Sequence, residues 1–233
     1  MKIFAISDLH LCLSGAKPMD VFGQTWENYL DVIKEDWNLK VSDDDIVLMS
    51  GDLSWAMKLE EATRDLEYLN SLKGKKIIIR GNHDYWWKSI SLLRKQLPSS
   101  IYPLQNDAIK IQNYIICGTR GWTVPEKNKV QTIEDEKIYK REQIRLRLAL
   151  DYALKLKTDE NDKIICMIHY PPFNSSLQPS EFTKIMEEYN VNKVVYGHLH
   201  GNSGRNMNFI NYHNIDYFLT SCDKINNKLI QIY

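Results

Sequence analysis

Five apolar runs in this chain end in the same way, each in a short cluster of polar residues of the kinds that bind metal ions. Ile3-Phe4-Ala5-Ile6 leads into Ser7-Asp8-Leu9-His10, and Ile46-Val47-Leu48-Met49 into Ser50-Gly51-Asp52. Ile77-Ile78-Ile79-Arg80 leads into Gly81-Asn82-His83-Asp84, Ile164 to Ile168 into His169-Tyr170-Pro171-Pro172, and Val194-Val195-Tyr196 into Gly197-His198-Leu199-His200. Such short runs, rich in β-branched residues, read as buried strands. Further strands are expected at Ile115–Cys117, Asp216–Ser221 and Lys228–Tyr233. Helical patterns fall at Trp26–Trp37, Lys58–Leu72, Tyr85–Leu97 and, in a long charged stretch, from about Glu134 to Leu156 (134–156). Strand, helix, strand in this order predicts a layered α/β fold. With 233 residues and no compositional shift that would mark a linker, a single domain is expected over 1–233.

In open α/β sheets, groups at the carboxyl ends of strands gather along one crevice, so segments remote in sequence converge. In Asp8-x-His10 and His198-x-His200, residues two apart on an extended strand end project to the same side. The convergent set is two carboxylates (Asp8, Asp52), four imidazoles (His10, His169, His198, His200) and the amide carbonyl of Asn82. One metal needs only three or four protein ligands, so these donors suggest two cations sharing a bridging carboxylate. Mixed nitrogen and oxygen donors suit Mn, Fe, Zn or Co better than Ca or Mg, which favour all-oxygen shells. Glycines beside Asp52, Asn82 and His198 permit tight turns and close backbone approach.

Charge and cysteine content narrow the partners. Lys plus Arg (30) equals Asp plus Glu (30), so no excess of positive charge draws the chain to nucleic acid or to an anionic membrane. The four cysteines, Cys12, Cys117, Cys166 and Cys222, form no C-x-x-C pair, which fits reduced thiols. No run approaches membrane-spanning length and the N-terminal residues enter a strand pattern directly, so a cytoplasmic location is expected.

The ordered motifs Asp-x-His, Gly-Asp, Gly-Asn-His-Asp, a lone His and Gly-His-x-His, spanning Asp8 to His200, resemble those of the calcineurin-like metallophosphoesterases. The resemblance implies a four-layer fold, two mixed β-sheets in a sandwich flanked by helices, with a dimetal site at one end. By motif position, Asp8, His10 and His200 would hold one metal, Asn82, His169 and His198 the other, and Asp52 would bridge them. His83 would be the catalytic histidine that meets the phosphoryl oxygen or protonates the leaving group. The implied reaction is metal-dependent hydrolysis of a small phosphomonoester or phosphodiester by a dimetal-activated hydroxide. Some relatives carry an aspartate three positions after the bridging one, where this chain has Trp55, which weakens a protein-phosphatase reading. Nuclease activity is the alternative within the same chemistry, although nucleases usually add a capping domain or a basic surface. A non-catalytic interaction scaffold is the other alternative, but such scaffolds tend to lose ligands that all stand here.

Around these motifs several residues keep two readings. Arg120 follows the strand Ile115–Cys117 and either binds a substrate phosphate or forms a surface ion pair. Asp84 either orients His83 or caps a helix beginning near Tyr85. Trp55, Trp86, Trp87 and Trp122 either wall a pocket or pack in the core. The segment from Leu11 to Gln24 is expected to be an irregular, substrate-selecting loop. The long helix is expected to show an apolar stripe through Ile138, Ile144, Leu148 and Tyr152, with Glu136–Lys140 and Asp151–Lys155 pairs on its solvated face. His213 stands outside every motif and reads as an ordinary histidine.

Overall fold

A strand packed on both faces has no solvent side, which is why the apolar runs of this chain show no alternation. The computed structural model, which describes residues 1–127, 130–201 and 207–233, arranges them in two facing sheets. In the first, β1 (Ile3–Ala5), β2 (Ile46–Met49), β3 (Lys75–Ile78) and β4 (Ile101–Pro103) run parallel as neighbours. The second contains β5 (Asp107–Ile111), β6 (Tyr114–Thr119), β7 (Lys163–Ile168), β8 (Lys193–Tyr196), β9 (Phe209–Tyr212) and β10 (Ile215–Leu219). Its order is β5-β6-β7-β8-β10-β9, parallel from β6 to β10 with antiparallel strands at both edges. The chain then returns to the first sheet as β11 (Ile230–Gln231), antiparallel to β1.

Alternate residues of each strand serve different layers. Phe4, Val47, Met49 and Ile78 pack toward α1 (Tyr29–Lys40), α2 (Leu59–Ser71) and α3 (Ile90–Gln96), where they meet Ile33, Trp37, Leu66, Leu69 and Leu93. Ile3, Ala5, Ile46, Leu48 and Ile77 face inward and meet Ile116, Ile165, Met167 and Val195 of the second sheet. On the far side, Ile115, Cys117, Ile164, Cys166 and Val194 pack under α4 (Ile133–Leu156) and α5 (Glu181–Glu188). The result is the four-layer sandwich of two mixed sheets flanked by helices. Parallel strands end together, so the segments after β1, β2, β3, β7 and β8 reach one end of the sandwich.

Four expectations are corrected. The helix expected from Tyr85 begins only at Ile90, because Trp86 and Trp87 turn their indole N–H groups to Asp84 Oδ1 (2.9 Å) and Gln105 Oε1 (2.7 Å) and hold the chain in turns. The helix expected from Trp26 begins at Tyr29, after a separate 3₁₀ turn (Gln24–Trp26) and a left-handed Asn28. On α4 the buried stripe runs through Tyr139, Glu142, Leu146, Ala149, Leu150 and Ala153, while Ile144, Leu148 and Tyr152 are exposed. The small alanines let the helix lie close on the sheet, which large apolar residues at those positions would prevent. Glu136 and Lys140 do pair at 2.6 Å, but Asp151 accepts from the Tyr189 hydroxyl at 2.7 Å and Lys155 lies over the Tyr152 ring. The four cysteines are free thiols, three of them buried. Among the described residues, no helix is long and apolar enough to cross a membrane.

Candidate metal centre

At the shared end of the sandwich the residues singled out from the sequence form two groups. Asp8, His10 and His200 offer ligand atoms within 4.8 Å of one another, and Asp52, His169 and His198 do the same. Asp52 stands between the groups, its Oδ2 lying 3.8 Å from His10 Nε2 and 3.5 Å from His169 Nε2. Asn82 belongs with the second group, with Oδ1 at 2.7 Å from His169 Nε2 and 2.9 Å from His198 Nδ1. His10 Nε2 and His200 Nε2 face each other at 3.2 Å. His213 lies apart on the surface against Glu187 at 2.9 Å.

The convergence arises from turns and not from strand alternation. Asp8, His10, Asp52 and His198 all have positive φ, between 47° and 73°, so none continues an extended strand. Left-handed backbone costs a residue with a Cβ roughly 1–2 kcal/mol, and its concentration here marks a place where the surrounding structure enforces the geometry. Two glycines make the close approach possible. A Cβ on Gly81 would lie 2.0 Å from Asp52 Oδ1, and one on Gly197 would lie 2.2 Å from Asp8 Oδ2.

The electrostatics of the site suit cations. Burial lowers the pKa of His169 and of His198 to about 3 and holds that of His10 well below its usual value, so these imidazoles are neutral and their lone pairs free to ligate. Burial pushes Asp8 well up, against the pull of His200 and with the help of Asp52, and burial also raises Asp52. His169 Nδ1–H donates a hydrogen bond to Ser50 O at 2.8 Å, which leaves the Nε2 lone pair pointing at the Asn82 carbonyl oxygen. With the Asn82 amide in this orientation two acceptors stand 2.7 Å apart, a repulsion that a cation ligated by both relieves. The donor set therefore fits a pair of metal ions, with Asp8, His10 and His200 around one and Asp52, His169 and His198 around the other.

Groups behind the ligands orient them. Asp223, which lies just past the end of β10, accepts from His200 Nδ1 at 2.9 Å. Burial alone would lower the His200 pKa, but this contact and the nearby Asp8 and Asp52 carboxylates raise it. The Ser221 hydroxyl and the His198 N–H bond the Asp8 carboxylate at 2.9 and 3.0 Å. Asp84 neither caps a helix nor accepts from the His83 ring. Its oxygens take the N–H groups of Asp52, Leu53, Ser54 and Gly81 and the indole of Trp86, pinning the turns that carry Asp52 and Asn82. Asp223 and Ser221 were missed in the sequence, although they follow a strand end like the ligands.

His83 sits at the mouth of the site. Its N–H donates to Asp52 Oδ1 at 2.8 Å, and its ring lies 4.6 Å from Trp55 and 5.7 Å from His10. Trp55 stacks on His10 at 4.7 Å. Together with Met19, Phe22, Trp26, His200 and Gly201 these rings line a cavity of about 330 Å³ opening on the ligands. Met19 and Phe22 come from the segment after the first ligand pair, where Asp20–Phe22 forms a 3₁₀ turn and not the irregular loop expected, whereas the contribution of Trp26 was hidden by its assignment to a helix. Trp86 and Trp87 are core residues. Trp122 packs on Tyr170 and carries the Arg120 guanidinium 5.0 Å from its ring centre. Arg120 does not line the cavity that opens on the ligands. Its side chain enters a second cavity with Arg80, Arg141 and Arg145, while its carbonyl accepts the N–H of His169 at 3.0 Å.

Two mixed sheets with paired nitrogen and oxygen ligand groups at their common end define a metal-binding phosphoesterase architecture. The family model for calcineurin-like phosphoesterases matches residues 1–202, and the chain belongs to that family. In fold the chain is similar to a protein of unknown function from Aquifex aeolicus, at 14% identity and TM-score 0.53, covering 99% of this chain and 95% of that one. It is also similar to TT1561 of Thermus thermophilus, at 13% identity and TM-score 0.60, covering 98% and 96% of the two chains. No curated protein matches the chain significantly in sequence.

Proposed function

We propose that this chain is a binuclear phosphohydrolase that cleaves a small phosphomonoester or phosphodiester without a covalent enzyme intermediate. Asp8, His10 and His200 hold one cation, Asn82, His169 and His198 the other, and Asp52 is shared. The observation that carries this reading is the place of Asp52 Oδ2 between an imidazole of each group. Bound there, two Mn, Fe, Zn or Co ions supply charge neutralisation for phosphoryl oxygens and lower the pKa of a water molecule. Asp84 and Asp223 hold the ligands in place, so little reorganisation accompanies the reaction. His83 donates to a phosphoryl oxygen or to the leaving oxygen from the rim. The walls made by Trp26, Trp55 and Phe22 receive the apolar part of the leaving group, such as a base or an aryl ring.

Metal analysis together with a turnover panel tests the proposal. The panel comprises p-nitrophenyl phosphate, bis-p-nitrophenyl phosphate, cyclic nucleotides and single-stranded DNA in saturating Mn²⁺. Stoichiometric binding of metal at both sites and turnover of at least one phosphoester are expected, and Asp52→Asn should lose both metals. Full metal retention by Asp52→Asn removes the shared role, and silence across the panel overturns hydrolysis.

A further inference from the structure

The second cavity, about 290 Å³, lies beside the metal centre where β4 and β6 end, and its wall carries Arg80, Arg120, Arg141 and Arg145. The one carboxylate in this wall, that of Glu142, is fully buried and pairs through Oε1 with Arg145 at 2.6 Å and with Arg141 Nε at 3.7 Å, which leaves the guanidiniums of Arg80 and Arg120 in surplus. Arg80 and Arg120 make no side-chain hydrogen bond or ion pair among the described residues, and Arg80 Nε is buried without an acceptor. Buried donors left unpaired are costly, and planar guanidinium forks match the oxygens of phosphate and carboxylate. This surplus stands in a chain of formal net charge zero. It is also tied to the ligands: Arg80 precedes Asn82 by two positions, and the Arg120 carbonyl accepts the N–H groups of His169 and Tyr170 at 3.0 and 3.2 Å.

We propose that this cavity binds a second anionic group of the substrate, a phosphate or carboxylate remote from the ester that is cleaved. The inference rests on the phosphohydrolase reading and narrows its substrate class to molecules with at least two anionic groups. A charge-assisted contact of this kind is worth about 1.5–3 kcal/mol, or roughly tenfold to more than a hundredfold in binding.

The test compares alkanediol bisphosphates of graded chain length with the corresponding alkyl monophosphates, using manganese-loaded wild type, Arg80→Gln, Arg120→Gln and the exposed-site variant Arg141→Ala. In wild type, KM for the best-fitting bisphosphate should lie about tenfold or more below that of its monophosphate. That ratio should collapse toward unity in Arg80→Gln and Arg120→Gln and shrink in Arg141→Ala; as a ratio within one protein, it is insensitive to partial unfolding. A wild type with no preference at any length, or variants that keep it, overturns the proposal. Activation of monophosphate turnover by free sulfate, lost in Arg80→Gln, with no bisphosphate preference, would assign the cavity to a separate anion and also overturn it. If no phosphoester is cleaved, calorimetry with non-hydrolysable bisphosphonates still tests the cavity: tighter binding than the monophosphonate, dependent on Arg80, supports it, and equal binding overturns it. The two readings therefore fail separately.

Discussion

Asp84 Oδ2 accepts the backbone N–H of Asp52 at 2.9 Å, so the turn after β3 holds the turn after β2. The same carboxylate takes Gly81 N–H at 2.8 Å and Leu53 N–H at 2.9 Å, all in a fully buried setting. Asp52 and Asn82, contributed by different strands, are thus fixed relative to each other before any ligand arrives.

Removing that carboxylate leaves several buried N–H groups without acceptors. Asp84→Ala should therefore destabilise the protein by about 3–5 kcal/mol, at the upper end of single substitutions, and should weaken metal binding. Urea unfolding of the metal-free protein reads the first effect without contribution from bound ions. A loss below about 1 kcal/mol would show that the turns hold themselves.

The glycines at the site make a steric prediction. Gly197→Ala would bring a Cβ to 2.2 Å from Asp8 Oδ2, and Gly81→Ala to 2.0 Å from Asp52 Oδ1. Displacing Asp8 should cost the metal held by its group, whereas displacing Asp52 should affect both. Gly15→Ala is the comparison, since its Cβ would meet nothing within 4 Å, although its φ of 77° adds roughly 1–2 kcal/mol of local strain. Metal analysis of the three variants checks the order, and full occupancy in Gly81→Ala would contradict it.

Much of this site was legible because chemistry and burial leave different marks on a sequence. Strands such as Ile46–Met49 are buried on both faces and read as unbroken apolar runs, so the polar cluster that follows each one stands out. Edge strands carry no such mark: Asp107–Ile111 and Phe209–Tyr212 are only partly buried and escaped notice. The phase of α4 was obscured because Ala149 and Ala153 bury its stripe while the larger Ile144 and Leu148 face solvent. Side chains that act across the fold were the hardest to read. Asp84 looked like a local cap, yet the groups it bonds include Asp52, 32 positions earlier in the chain.

Asp223 offers a test of orientation without ligation. It bonds His200 Nδ1 at 2.9 Å and Gly201 N–H at 2.8 Å, so it sets both the ring angle and the tautomer that leaves Nε2 for the site. Losing such a partner typically costs about 10–100-fold in metal affinity. Asp223→Ala should show that loss at the Asp8 group while the Asn82 group keeps its ion, as competition with a chromogenic chelator would report. Equal weakening at both sites would mean that the contact supports the fold and not the histidine.

His83 allows the proposed catalytic role to be tested apart from metal binding. Its backbone N–H is bonded to Asp52 Oδ1, but its ring lines the mouth of the cavity with Trp55 and His10. His83→Ala retains the backbone bond and should keep both ions while kcat falls by about 10²–10⁴-fold, the usual contribution of a positioned acid. If the ring protonates the leaving group, the fall should be greatest for alkyl esters, whose leaving groups are poor, and small for p-nitrophenyl esters, whose leaving group needs no proton. If the ring instead holds a phosphoryl oxygen, both classes should slow equally. Loss of a metal ion in the variant would make the ring a ligand and remove it from either role.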